Sequence, residues 1–138
     1  MTADAPVPDD VVMSAAIATA GRLLLASLFL FAGVLKLTTY AQTGASMAAA
    51  GLEPVSLLLP ATIALELGGG LLVAIGRRGA ALAAFVLAIF TLATNYWFHD
   101  FWTMEGEVAR LQGSLFLKNV AVAGGLLLLA GSQDQQRR

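Results

Sequence analysis

Four runs of apolar residues follow one another with only short polar breaks: about Val11 to Leu37, Val55 to Gly76, Gly79 to Trp97 and Gly113 to Gly131. Each is close to the roughly 20 residues that cross a hydrocarbon core of about 30 Å as a helix. The runs are continuous rather than alternating, which excludes the short two-faced strands of a membrane barrel. The pattern predicts an all-α fold, a four-helix transmembrane bundle forming a single integral membrane domain over residues 1–138.

Two of the three breaks are long enough to carry structure. "TTYAQTGASMAAAGLEP" has a run of small residues, a Gly51 suited to ending a helix and a Pro54 that prevents its continuation, so a short interfacial helix is expected there. "HDFWTMEGEVARLQG" mixes aromatic and charged residues and is expected to lie along the surface as a second one. The remaining break is only Gly76-Arg77-Arg78-Gly79, which forces the second and third spans into a tight antiparallel pair.

Composition agrees: 58% of the residues are hydrophobic, and 12% are charged against roughly 25% in soluble domains. Mean hydropathy is +0.78. The absence of cysteine removes disulfides, thiol catalysis, iron–sulfur clusters and covalently attached haem, and the single His99 removes a bis-histidine haem within one chain. A net charge of −1 with no basic run argues against nucleic acid as a partner. Asp4, Asp9 and Asp10 give the N-terminal tail the wrong charge for a secretory signal, and the first apolar run is expected to be retained despite "SMAAAG" after it.

Arg77, Arg78, Arg137 and Arg138 fall on one side of four spans, with Lys36, Arg110 and Lys118 toward the other, so the positive-inside rule places both termini in the cytoplasm. Tyr40, Tyr96, Trp97, Phe98, Phe101 and Trp102 gather where the first and third spans emerge on the outer face, as an aromatic belt does.

At about 100° per residue each span collects its polar and small residues on one stripe. These are Arg22, Ala26, Phe29, Gly33 and Lys36 on the first; Ser56, Leu59, Ile63, Glu66, Gly70 and Val73 on the second; Ala84, Ala88, Thr91 and Asn95, with His99 beyond, on the third; and Ser114, Lys118, Val122 and Gly125, with Asn119 one step round, on the fourth. Glu66 lies near mid-span, where a lone charge is costly. Arg22, in the inner half of the first span, is the expected partner, forming an intramembrane ion pair that also serves as a structural tie. Lys36, Asn95, His99, Lys118 and Asn119 fall in the outer third as candidate ligand-binding residues, although both lysines are also placed to snorkel to headgroups. Gly68 to Gly70 reads as a packing surface rather than a phosphate loop. His99 with one adjacent aspartate makes a poor metal site, and none is expected.

Three intramembrane cations against one carboxylate favour a ligand with acceptor oxygens, either a quinone head group beside aromatic walls or a small oxyanion. "GRLLLASLFLFAGVLKL", "AAAGLEPVS", "LELGGGLLVAIGRR", "HDFW" and "LFLKNVAVAGGLLLL" occur in an order and spacing that resemble the DoxX family of small four-helix membrane proteins, over nearly the whole chain. The resemblance implies a membrane subunit associated with redox systems, whose relatives include parts of thiosulfate:quinone oxidoreductase and of membrane oxidative-stress complexes. It implies a bacterial inner-membrane location, a redox partner protein, and quinone as a non-covalent ligand; no residue is assigned a catalytic role. A small transporter, which with four helices would act as a homo-oligomer, and a purely structural assembly protein are the alternatives.

Overall fold

The computed structural model describes residues 9–135; Asp4, Arg137 and Arg138, used above for charge and topology, lie outside the described residues. Five helices follow in order: α1 (Asp9–Thr38), α2 (Tyr40–Ala49), α3 (Val55–Ile75), α4 (Ala80–Phe98) and α5 (Gly106–Gln135), with one turn of 3₁₀ helix at Phe101–Thr103. α1, α3, α4 and α5 are long and apolar enough to cross a membrane. The fold is the expected all-α bundle. α1 packs on α3, α3 on α4 and α4 on α5, whereas α1 and α5 touch little.

The junctions follow from local chemistry. α2 ends in a Schellman motif: Gly51 takes a left-handed φ of 76°, and Leu52 N–H donates to Met47 O at 2.9 Å while the two side chains pack together. Gly76 and Gly79, at φ 66° and 89°, supply the left-handed residues that let α3 reverse into α4 within four positions. The second outer loop differs from expectation. It contains only the 3₁₀ turn, and from Gly106 onward the chain already belongs to α5, whose first turn carries Glu107 paired with Arg110. Lacking a helix breaker other than isolated glycine, "GEVARLQG" simply extends the last span.

The core is made of small residues. Ala26, Ala83, Ala84, Ala88 and Ala123 surround Phe29, Val73, Leu87 and Leu126, which allows the close backbone approach that replaces hydrophobic driving force inside lipid. The glycine triplet serves two neighbours: a Cβ on Gly69 would crowd Leu87 of α4, and one on Gly70 would crowd Leu30 and Phe29 of α1, each at 3.2–3.3 Å. Three of the four stripes face inward as expected, except that Ser56, in the first turn of α3, is exposed. On α5 the buried line instead runs through Ala123 and Leu126, with half-buried Gln112, Phe116 and Asn119, while Ser114 and Lys118 are exposed. The stripe was one position out of register, because Lys118 weighted the polar face away from the alanines that pack.

α1 and α3 are strongly staggered. Gly33 lies against Leu67 and Glu66, and Arg22 against Gly76, so the C-terminal end of α1 is level with the middle of α3. α2 occupies the space this leaves. Its Gly44 faces Val55 and Leu59, and its Met47 is buried with Leu59 and Ile63, so α2 leans on the first turns of α3. Toward the other end, residues 9–21 of α1 have no buried side chain and reach past the α3–α4 turn.

Candidate functional site

Glu66 is 4% exposed, and its carboxylate is held by Lys36, whose Nζ donates to Oε1 at 2.8 Å. This corrects the expected Arg22 partner. Arg22 precedes Gly33 by about 16 Å of helix, too far for its side chain to return to Glu66. It instead caps the end of α3, with Nε donating to Ala74 O at 3.3 Å and its guanidinium over Gly76. There it satisfies one of the carbonyls that a helix C-terminus leaves open and places positive charge at the negative end of the α3 dipole. Counting depth from the ends of the apolar runs hid the stagger, and with it the partner.

Beside the pair lies a cavity of about 500 Å³ between α1, α3 and α4, closed at one end by α2 and Leu52. Its walls are chiefly apolar, with Phe29, Phe90, Trp97 and Phe98 among them. Lys36, Glu66, His99 and Asn119 are the candidate residues that border it. The hydroxyls of Ser46, Thr62 and Thr94 also border it; they escaped the sequence reading because a threonine in a membrane helix commonly satisfies itself on its own backbone. Thr94 does so here, donating to Thr91 O at 2.9 Å.

The other expected ligand groups are placed differently. Asn95, 1% exposed, spends its amide on α5: Nδ2 donates to Phe116 O at 3.2 Å, and Oδ1 accepts from Asn119 Nδ2 at 2.9 Å. It is a tie between α4 and α5, lying behind the cavity wall. His99 Nδ1 and Gln112 Oε1 lie 2.7 Å apart, a hydrogen bond in which the ring N–H donates to the amide oxygen. Gln112 carried no signal in the sequence, since a loop separates it from His99. Lys118 is exposed and does not border the cavity, because the true seam of α5 runs one position away.

Rings gather at the same end of the bundle. Phe101 meets Phe116 edge-on with centroids 5.5 Å apart, and Trp102 stacks obliquely toward Tyr96 at 6.4 Å. These contacts fold the α4–α5 connection down over the start of α5.

Compared with known proteins, residues 17–100 match the DoxX family pattern, more than half of the chain, taking in Arg22, Lys36, Glu66, Asn95 and His99. The chain belongs to the DoxX family. It is 40% identical to inner membrane protein YqjF of Escherichia coli (strain K12) over 109 residues, 79% of this chain and 78% of that protein. No solved structure matches it. Family membership and four apolar spans together make it an integral membrane protein whose outer surface, rich in exposed leucine, valine and phenylalanine, contacts lipid.

Proposed function

We propose that this DoxX-family protein is the membrane subunit of a redox system and docks a quinone head group in the cavity for a partner oxidoreductase, which supplies the redox centre. The observation that carries this reading is a cavity with aromatic and aliphatic walls into which a few polar groups converge, the composition of a small-molecule site. Leu28 and Trp97 border it and are also 38% and 43% exposed on the apolar outside, a route suited to a ligand that travels in the bilayer. Lys36 offers donors for a carbonyl oxygen. Because Glu66 already neutralises that lysine, while Arg22 and Lys118 stand elsewhere, a neutral head group is favoured over a small oxyanion. By charge placement and the inner-membrane relative, the protein sits in a bacterial inner membrane with both termini cytoplasmic.

The test is quenching of tryptophan fluorescence by a decyl-benzoquinone, with the protein in lipid nanodiscs. Trp97 borders the cavity, so bound quinone should quench saturably. Ala32→Phe, which fills the cavity, should reduce this to the linear quenching of a quinone merely dissolved in lipid, and Lys118→Met should leave saturation unchanged. Linear quenching by the unmodified protein would remove the proposal.

A further inference from the structure

We propose that a recess where α4 leaves the bilayer binds an alkylammonium cation, walled by the rings of Tyr96, Trp97 and Trp102 and neutralised by Asp100. The site is separate from the cavity beside Glu66 and stands without the quinone reading.

The recess, about 450 Å³, lies between the end of α2, the last turn of α4 and the 3₁₀ turn. Three different features of its border favour positive charge. Asp100 brings a half-buried carboxylate that forms no salt bridge among the described residues. Thr103 Oγ1 donates to its Oδ2 at 2.8 Å and holds it in place, leaving Oδ1 for a ligand. α2 presents its C-terminal end through Ala49 and Ala50, whose carbonyls accept no hydrogen bond among the described residues; this is the negative pole of the helix. The rings complete the walls. Tyr96 and Trp97 have centroids 5.4 Å apart and planes at 87°, and Trp102 lies 6.4 Å from Tyr96, so their π faces fall within the roughly 6 Å over which an aromatic ring attracts a cation. No lysine or arginine borders the recess. An aromatic belt needs rings at this level but neither a carboxylate nor a helix end beside them, whereas a bound cation accounts for all three. Rings add apolar contact to the attraction of charge, which selects an alkylated ammonium over a hydrated metal ion. At the membrane surface such a group comes either from a phospholipid headgroup or from a free alkylammonium in water.

Trp97 and Trp102 are the chain's two tryptophans and both border the recess, so indole fluorescence reports on it directly. The probes are choline and its neutral carbon isostere dimethylbutanol, titrated at constant ionic strength, set with sodium chloride, against delipidated protein in dodecyl maltoside, an uncharged detergent. Choline should change the fluorescence saturably, and the alcohol should bind at least about ten-fold more weakly. Asp100→Asn keeps the acceptor for Thr103 and loses the charge; Trp102→Leu keeps apolar bulk and loses a ring, with Trp97 still reporting. Each should weaken choline binding at least about five-fold, while thermal unfolding shows the variant to be folded. Asp100 does not border the cavity beside Glu66, so its effect separates the two sites. Phosphatidylethanolamine added to the micelles distinguishes the sources: displacement of choline assigns the recess to a lipid headgroup, and choline binding unmoved by the lipid assigns it to a free alkylammonium. An equal response to choline and the alcohol, or a response to neither, overturns the proposal. Choline binding that is not weakened in either variant overturns its placement in this recess.

Discussion

Lys36 and Glu66 form an ion pair at 2.8 Å that joins the last turn of α1 to the middle of α3, with Gly33 making room for the approach. The two side chains differ in their alternatives. The Lys36 side chain, a quarter exposed, can swing toward headgroups when its partner is removed, whereas the buried Glu66 side chain cannot move to water. Lys36→Met should therefore destabilise the protein more than Glu66→Gln, by about 2 to 3 kcal/mol against about 1 kcal/mol. The double variant should recover part of the loss. Thermal unfolding in detergent of both singles and the double measures this; strict additivity would show the two to be energetically independent. An Arg22→Leu, Glu66→Gln cycle should be additive.

Arg22 and Gly76 share one small space at the end of α3, and Gly76 has a left-handed φ of 66°. Gly76→Ala should cost more than the about 1 to 2 kcal/mol of left-handed strain alone, because the new methyl displaces the guanidinium. In an Arg22→Leu background the same change should cost only the strain. Equal costs in both backgrounds would mean that the Arg22 cap contributes nothing at that turn.

Asn95 and Asn119 tie α4 to α5 inside the bundle. Asn119→Leu leaves Asn95 Oδ1 buried without its donor, and the loss should fall between about 0.6 kcal/mol, the average for an interhelical hydrogen bond in a membrane, and about 1.7 kcal/mol, the largest. Asn95→Leu with Asn119→Leu should cost less than the sum of the singles. Steric trapping or forced unfolding in bilayers reads the coupling, and quinone affinity in Asn95→Leu should stay within about two-fold because Asn95 does not border the cavity.

Orientation can be read with single cysteines, since the chain has none of its own. Thr103 follows α4 and Ser132 lies near the end of α5, both exposed and at opposite ends of the bundle. Thr103→Cys should react with an impermeant maleimide from the periplasmic side and Ser132→Cys only after the cytoplasmic side is opened. The reverse pattern would invert the charge-based orientation, and labelling of both from one side would contradict four crossings.

Hydrophobic run length and residue chemistry within single helices were enough to establish four spans, the α2 helix before Pro54, the Gly76–Gly79 reversal and the inward stripes of α1, α3 and α4. These are local quantities, set by how far an apolar helix reaches and where glycine or proline interrupts it. The stripes showed that Arg22 and Lys36 share a face, but not which of them stands opposite Glu66. That depended on the stagger of α1 against α3, which is decided by α2 packing on the first turns of α3 and by Gly33 meeting Leu67. The same holds on α5, where one step of rotation, set by alanine packing against α4, puts Asn119 at the cavity and Lys118 outside it. Axial offset and rotation between helices are properties of pairs of surfaces, so a single helix's sequence carries them only weakly, and the tertiary structure decided both.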